Sequence, residues 1–191
     1  MLDITFPEWD RDLFVYLNNM HHPWLDPIMA FLSSYLAWML VCITVIILII
    51  YKNRYQGLAA SLFMLVGLGI NSLANNLIKL VIMRPRPGRE ESLQEIIRQL
   101  EDIGYTSSFF SAHSSNSFCM ALFASFYFRN KYYSIVMFAW ALIVAYSRIY
   151  VGKHYPLDVM VGIVFGLLTG WFSFWIYNRY CNKKGLDPYS K

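Results

Sequence analysis

Three long stretches without a charged residue constrain the fold of this chain more than any other feature. Residues 27–50, 57–78 and 159–178 are mostly apolar and each can cross a bilayer as a helix, since about 20 residues rising about 1.5 Å each span roughly 30 Å of hydrocarbon. Two shorter apolar stretches, 114–128 and 132–147, reach that length if the polar residues beside them lie partly within the membrane. We therefore predict five transmembrane helices.

The composition supports a membrane protein and argues against a nucleic-acid partner. Hydrophobic residues make up 57% of the chain and charged residues only 15%, against about 25% charged residues in ordinary soluble domains. The net charge of +4 does not indicate DNA or RNA binding, because that requires Lys and Arg spread over a soluble surface. The prediction is an all-α polytopic bundle that forms one domain over residues 1–191.

Two segments outside the spans have an amphipathic pattern. The first places apolar side chains at helical spacing among acidic neighbours: Phe6, Trp9, Leu13, Phe14 and Leu17. This pattern is typical of a helix lying at the membrane surface. Residues 90–104 have a similar stripe, which predicts a short surface helix. We therefore divide the chain into an interfacial helix (1–25), a transmembrane bundle (26–180) and a cytoplasmic tail (181–191).

Loop charges predict the orientation of the bundle. Basic residues follow the first, third and fifth spans: Lys52, Arg54, Arg129, Lys131, Arg179, Lys183, Lys184 and Lys191. The positive-inside rule assigns these three regions to the cytoplasm. Residues 83–110 and 148–158 then lie outside, together with the acidic N-terminus. These outer intervals are also basic, and their cations fall into the pattern described next.

Polar residues accumulate at the end of the second span. Asn71, Asn75 and Lys79 recur every fourth residue and so share one helix face. Ionisable residues at membrane depth cost a few kcal/mol each and are seldom kept without a partner or a task. The plain alternative is a lysine that extends to the membrane surface, with two asparagines that join helices.

An arginine between two prolines, Arg86, follows Lys79 after six residues. The prolines stop the helix and hold the segment extended, which can aim Arg86 back toward the membrane surface. Its planar guanidinium can donate two parallel hydrogen bonds to phosphate oxygens. For the flanking Arg84 and Arg89 the simpler interpretation, contact with anionic lipid headgroups, is preferred.

The third span opens with Ser111, Ala112 and His113. Small residues at a helix start leave backbone N–H groups free, and these groups form an anion site with the positive end of the helix dipole. His113 would lie at the edge of that site. Taken alone, Ser111 is as well explained as a helix N-cap and His113 as a packed histidine.

The strongest signal is Ser147-Arg148-x5-His154-x3-Asp158, between the fourth and fifth spans. Asp158 lies one turn along from His154 near the start of the last helix, where its carboxylate could hold the imidazole Nδ1–H. A histidine so oriented presents Nε2 as a nucleophile. An Asp–His pair that only caps a helix would explain these two residues, but not Arg148 beside them.

Three segments in this order resemble the signature of the type 2 phosphatidic acid phosphatase (PAP2) superfamily: Lys79-x6-Arg86-Pro87, Ser111-Ala112-His113 and Ser147-Arg148-x5-His154-x3-Asp158. The resemblance covers about residues 57–178. The usual middle motif of the family is Pro-Ser-Gly-His, and here Phe110 and Ala112 replace the proline and the glycine. Ala112 keeps its N–H free, so we expect a modest change in the phosphate pocket.

The resemblance implies hydrolysis of a lipid phosphate or pyrophosphate. In the family the second histidine attacks phosphorus and is transiently phosphorylated, which here is His154, oriented by Asp158. His113 would protonate the leaving oxygen and later activate water. Phosphate would be bound by cations, a hydroxyl and backbone N–H groups: Lys79, Arg86, Ser111, Ala112 and Arg148. Since three cations can neutralise a dianion, we expect no metal ion and no other cofactor.

Small bacterial members of this family act on undecaprenyl diphosphate, phosphatidylglycerol phosphate, phosphatidic acid or the phosphates of lipid A. We rank undecaprenyl diphosphate first, because the chain is short and its loops offer no large headgroup domain. A non-catalytic lipid-phosphate binder or transporter would keep the cations but need neither histidine, and this chain has both. The related vanadate-dependent haloperoxidases are a second alternative, which is disfavoured because those enzymes are soluble. We therefore expect an enzyme of the bacterial inner membrane with its active site on the periplasmic face. The oligomeric state is not predicted.

Overall fold

The structure is a computed structural model that describes residues 5–188. Over that range it is all-α, as predicted. In chain order its helices are α1 (Glu8–Asn18), α2 (Asp26–Ser33), α3 (Tyr35–Lys52), α4 (Arg54–Ile82), a 3-10 helix (Pro87–Arg89), α5 (Ala112–Phe128), α6 (Lys131–Tyr150) and α7 (Pro156–Lys183). Helix α7 continues into the predicted tail, of which residues 189–191 lie outside the described range.

Four of these helices, α3, α4, α6 and α7, are long and apolar enough to cross a membrane. Helix α5, with 17 residues, is shorter and contacts all four of them. Most of its side chains are buried in protein, whereas the long helices expose leucines such as Leu62, Leu80 and Leu168 outward. Outward apolar side chains with internally satisfied backbone groups suit hydrocarbon and not water. The protein is therefore an integral membrane helical bundle.

The first predicted span is not one continuous helix. Residues 27–50 are divided between α2 and α3 by Ser34, whose backbone is extended at φ −76° and ψ 152°. The Ser34 hydroxyl accepts a hydrogen bond from the N–H of Ala37 and so caps the start of α3. Because the helix is interrupted, the carbonyl group of Ser33 is free of a helical hydrogen bond and accepts one from Arg148 instead.

The predicted surface helix over residues 90–104 is wrong. The chain forms successive turns over residues 91–96 and then runs without regular structure. Leu93 is fully buried, and the N–H groups of Arg98 and Leu100 donate to Asn18 Oδ1 and to the carbonyl of Val151. The turns keep short local bonds, such as Ile96 N–H to the carbonyl of Leu93, but after residue 97 the backbone bonds to distant residues and no helix continues. The amphipathic periodicity was therefore misleading here.

The N-terminal segment is helical over α1, as its periodicity predicts, but its buried face is not the apolar one. Asp10, Phe14 and Asn18 lie on one stripe and are fully buried against the bundle. Trp9 and Leu13, which the amphipathic pattern includes, face outward. Outward apolar residues are compatible with a helix at the membrane surface, and that placement stays a prediction.

Glycines on α7 bring this helix unusually close to α5. Gly162, Gly166 and Gly170 recur every fourth residue and face the α5 backbone. A Cβ atom at Gly166 would lie 2.1 Å from the carbonyl oxygen of Ser115, closer than any real contact. Small residues at this spacing allow helix backbones to approach in membranes. Their close packing places the start of α5 beside the start of α7.

The two ends of the bundle have different chemistry. Lys52, at the end of α3, donates to the carbonyl of Tyr127 at the end of α5, and Tyr127 in turn contacts Tyr177 of α7. The three basic regions used to predict orientation therefore lie at one end. The segments with the three motifs meet at the opposite end, as their positions along the spans predict.

Candidate active site

The loop between α6 and α7 folds back over the end of α6. The N–H groups of Lys153 and His154 both donate to the carbonyl oxygen of Arg148, over 3.0 and 3.2 Å. Gly152 makes this turn at φ +82°, a conformation that favours glycine. A Cβ atom there would also lie 3.0 Å from the carbonyl oxygen of Arg98. Glycine thus allows the turn that places His154 next to Arg148.

His154 and Asp158 lie one helical turn apart, as predicted, but they are not joined by a hydrogen bond. His154 Nδ1 is 3.7 Å from Asp158 Oδ2, which is an ion-pair distance. This nitrogen has no hydrogen-bond partner among residues 5–188. Since Nδ1 faces the carboxylate, the geometry of the ring turns Nε2 away from it. The arrangement is that of a histidine whose free edge is available to a reacting group.

Burial keeps His154 neutral. Its side chain is almost completely enclosed, and this desolvation lowers the pKa of His154 to about 3, with the Arg86 and Arg148 charges acting in the same direction. The Asp158 carboxylate opposes the shift without reversing it. At neutral pH the imidazole therefore has an unprotonated nitrogen, which nucleophilic attack requires.

Arg148 is a buried cation whose Nε–H group has no hydrogen-bond acceptor in the described part of the chain. Its Nη1 atom donates to the carbonyl of Ser33 over 2.6 Å and also contacts the Ser33 hydroxyl. A buried donor without a partner costs free energy that a bound anion would recover. Arg148 is therefore oriented to bind an oxyanion.

Arg86 is also buried, and it links two of the motifs. Its Nε and Nη2 atoms donate to the carbonyl and the hydroxyl of Thr106, over 2.9 and 3.0 Å, and Nη1 donates to the carbonyl of Lys153 over 3.3 Å. Lys153 immediately precedes His154. Residues 90–107 thus hold the guanidinium against the loop between α6 and α7.

Lys79 lies on the last turns of α4 and is half-buried. It lines a cavity of about 570 Å³, together with Arg84, Arg89 and Thr106. In this cavity it lies near Arg84, whose guanidinium pairs with Asp158 at 2.7 Å. The preceding asparagines serve structure, since Asn75 Nδ2 donates to the carbonyl of Phe110 over 2.6 Å.

The Ser111 hydroxyl caps α5, accepting hydrogen bonds from the N–H and the hydroxyl of Ser114 over 3.4 and 2.9 Å. The Ser111 backbone N–H donates to the carbonyl of Asp158 over 3.0 Å, which joins the starts of α5 and α7. Phe110, in the usual proline position, is buried against Phe165. Ala112 follows half-buried as the first residue of α5.

His113 completes the group. Its ring lies 4.5 Å from that of Tyr35, and its Nε2 atom is buried with no hydrogen-bond partner in the range that the structure describes. The three motif segments thus meet at one end of the bundle, where Arg86 donates to the carbonyl of Lys153 and the Ser111 N–H donates to the carbonyl of Asp158. That their side chains bind one phosphate stays a prediction.

The interpretation of Arg84 as a headgroup contact is wrong. Arg84 is 5% exposed, and its guanidinium pairs with Asp158 at 2.7 Å and with Asp10 at 2.6 Å. Ser108 also donates to Asp158. Neither Asp10 nor Ser108 stands in a motif, so the sequence pattern did not indicate a role for either residue. The one hint in the sequence was that Arg84 lies two residues before Arg86 and so close to the motif.

One acidic residue lies among the cations of the site. Glu101 Oε2 is 3.1 Å from Lys153 Nζ and 3.8 Å from Arg148 Nη1. Sequence analysis grouped the segment around Glu101 with a surface helix and so missed this contact. Within residues 5–188, no group of three or more His, Cys, Asp or Glu side chains is arranged to hold a metal ion.

Comparison with known proteins agrees with this geometry. Residues 60–180 match the PAP2 superfamily. The lipid A 4′-phosphatase of Porphyromonas gingivalis is 30% identical over 175 residues, which cover 89% of this chain and 73% of that protein. The undecaprenyl-diphosphatase BcrC of Bacillus subtilis is 30% identical over 156 residues, covering 81% and 76%.

Among solved structures, LpxE of Aquifex aeolicus has the same fold, with a TM-score of 0.73 at 23% identity, covering 91% of this chain and 98% of that chain. The family match includes all three motif segments, and the relatives match across most of their own length. The chain belongs to the PAP2 superfamily and is a membrane-embedded phosphatase of lipid phosphates.

Proposed function

We propose that this protein hydrolyses a lipid-linked phosphate or pyrophosphate through a phosphohistidine on His154. The observation that carries the proposal is a buried imidazole whose Nδ1 edge faces the Asp158 carboxylate at 3.7 Å, in a loop held by Arg86 and by the Arg148 carbonyl. Nε2 attacks phosphorus, and the bond from phosphorus to the leaving oxygen breaks. The Asp158 carboxylate stabilises the positive charge that develops on the ring.

The leaving group lies on the His113 side of the pocket. His113 borders a cavity of about 310 Å³ whose walls include Tyr35, Trp38, Leu65 and Leu68. An apolar cavity next to an imidazole suits the lipid side of the scissile bond. His113 donates a proton to the leaving oxygen, and then takes a proton from the water that attacks the phosphohistidine. This second step releases phosphate and regenerates His154.

In this proposal the transferred phosphoryl group is held by Lys79, Arg86 and Arg148, the Ser111 hydroxyl and the Ala112 N–H. The unpartnered Nε of Arg148 supports this role. Opposed cations stabilise the charge on the equatorial oxygens in the transition state, which is the main requirement of phosphoryl transfer. In this scheme the three cations neutralise the dianion, and no metal ion or other cofactor takes part.

Undecaprenyl diphosphate is our first candidate substrate. Lys153 lies beside the motif cations and Arg89 borders the neighbouring cavity, so the site has more positive charge than a monophosphate needs. The second candidate is a phosphate of lipid A, favoured by the Porphyromonas gingivalis relative, which matches 89% of this chain. Phosphatidylglycerol phosphate and phosphatidic acid complete the panel to be tested.

We also propose that the catalytic end faces the periplasm and that the protein lies in the bacterial inner membrane. The support is the clustering of Lys52, Arg129 and the basic end of α7 at the opposite end of the bundle. Single cysteines introduced at Tyr105 and at Lys184, both exposed, would test this in spheroplasts. A membrane-impermeant thiol reagent should label position 105 only, and labelling of position 184 alone would reverse the orientation.

The function is tested with purified protein in detergent and chelator, assayed for phosphate release from the four lipid classes. Turnover should persist in chelator, and His154→Ala should abolish it without loss of folding. A brief reaction with phosphorus-labelled substrate should leave acid-labile, alkali-stable label on the wild-type protein but not on His154→Ala. Turnover by His154→Ala would refute the assigned nucleophile. Binding of all four lipids without turnover would favour a non-catalytic binder.

A further inference from the structure

Arg84 joins two buried carboxylates at the catalytic end of the bundle. Its Nη1 atom lies 2.7 Å from Asp158 Oδ1 and its Nη2 atom lies 2.6 Å from Asp10 Oδ2. The guanidinium is enclosed by the rings of Phe6 and Tyr155, whose centroids are 3.9 and 3.8 Å from Cζ. Asp10 and Asp158 are both fully buried. The three side chains therefore form an ion triad that is shielded from solvent.

Asp10 is also bound to the helix that carries Asp158. The backbone N–H of Leu157, the second residue of α7, donates to Asp10 Oδ1 over 2.7 Å. Asp10 thus contacts both Arg84 and the start of α7. Because Asp10 belongs to α1, the N-terminal helix contributes directly to the surroundings of the residue that faces His154.

The remaining contacts of Asp158 show what sets its position. Its Oδ2 atom accepts hydrogen bonds from the Ser108 hydroxyl and from the N–H of Tyr155, while Arg84 binds Oδ1. Donors from three different segments therefore hold this carboxylate. They orient it toward His154 Nδ1 at 3.7 Å.

We propose that Arg84 and Asp10 are positioning residues for catalysis, and that α1 is part of the catalytic unit. The proposal rests on the function proposed for His154 and Asp158. Two carboxylates and one guanidinium leave the triad with one net negative charge. This charge stabilises the positive imidazole ring that forms when His154 accepts the phosphoryl group. Without Asp10 the triad becomes neutral and that stabilisation weakens.

The binding of α1 does not depend on Asp10 alone. Asn18 Nδ2 donates to the carbonyls of Arg98, Ile149 and Tyr150, and Asn18 Oδ1 accepts from the N–H of Arg98. Phe14 is fully buried on the same face. Asn18 therefore provides a matched control: Asn18→Ala loosens α1 without contact to Asp158 or Arg84.

The first test compares Asp10→Asn with Asn18→Ala in the purified full-length protein, using undecaprenyl diphosphate and phosphatidic acid in mixed micelles. We expect Asp10→Asn to lower kcat roughly tenfold to a hundredfold, the effect expected when a hydrogen bond to a charged group is lost, with KM unchanged within about twofold. Asn18→Ala should lower Tm but keep kcat within about twofold. Equal loss of kcat in both variants, or full kcat in Asp10→Asn, would overturn the proposal.

The second test is a double-mutant cycle. If Asp10 acts through Arg84, then Asp10→Asn in an Arg84→Met background should lower kcat no further, whereas independent effects would multiply. Arg84→Lys, which keeps the charge, should retain more activity than Arg84→Met. Multiplying losses would contradict the proposal. If Arg84→Met does not fold, the comparison of Asp10→Asn with Asn18→Ala decides the question.

The outcome can be separated from the proposed function. Full turnover by His154→Ala would overturn the proposed function itself. An inactive His154→Ala together with a fully active Asp10→Asn would leave that function standing and overturn only the role of the triad.

Discussion

Arg148 Nη1 lies 2.6 Å from the carbonyl oxygen of Ser33, the last residue of α2. A carbonyl inside a continuous helix would accept from the fourth residue along and would not be free to bind an arginine. The break between α2 and α3 therefore supplies an acceptor that positions a phosphate-binding cation. The interruption of this otherwise apolar span at Ser33 and Ser34 thus helps to position Arg148.

The first prediction concerns this break. Ser34→Ala removes the cap of α3, which typically costs about 1 kcal/mol, and favours one continuous helix through residues 33–35. The Ser33 carbonyl would then leave Arg148, and KM for lipid phosphate should rise. Ser34→Asp, which preserves the cap, should keep KM near that of the wild type. An unchanged KM in Ser34→Ala would show that the break does not support phosphate binding.

The second prediction concerns the contact between α5 and α7. Gly166→Ala places a Cβ atom 2.1 Å from the Ser115 carbonyl oxygen, so the two helices must separate. Overpacking of this kind typically costs about 1–3 kcal/mol, and Tm in detergent should fall. Gly69→Ala is the control, since its Cβ atom would have no heavy atom within 4 Å in the described structure. Its Tm should not fall, because alanine favours helix over glycine.

The third prediction concerns Glu101, which shares Lys153 and Arg148 with any bound phosphate. Glu101→Gln removes the competing charge, so inorganic phosphate should inhibit more strongly. A partly exposed ion pair contributes up to about 1 kcal/mol, which corresponds to about a fivefold lower inhibition constant. The difference from wild type should shrink at high salt. Weaker inhibition in Glu101→Gln would mean that Glu101 assists phosphate binding.

The fourth prediction is a pH dependence of stability. The pKa of His154 is about 3 in the folded protein and near 6.5 in an unfolded chain. Between these values the unfolded state binds a proton that the folded state does not, so stability falls as pH falls, by up to about 1.4 kcal/mol per pH unit. His154→Asn lacks this contribution, so its Tm should fall less than that of the wild type between pH 6.5 and 4.5. Parallel Tm curves would contradict a neutral buried His154.

The site residues that the sequence predicts belong to local motifs. His154 and Asp158 are four residues apart, on either side of the Tyr155 N-cap of α7, so the turn into this helix keeps them close. The residues around them were less accessible to sequence reasoning. The contact between Arg84 and Asp10 joins positions 74 residues apart, and the segment that follows the turns is held by hydrogen bonds from Arg98 to Asn18 and from Leu100 to Val151.

What the sequence determined by itself is the helical, membrane-embedded architecture and the identity of the motif side chains. Hydrocarbon cannot hydrogen-bond backbone groups, so long apolar stretches in a membrane satisfy their backbone internally as helices, and even the first stretch is helical on both sides of Ser34. Tertiary structure alone decided which charges are neutralised by which partners, where α2 ends, and which face of α1 is buried. A buried charge or an unpaired backbone carbonyl needs an ion-pair or hydrogen-bond partner. Those partners lie far away in the chain, so local sequence patterns do not reveal them.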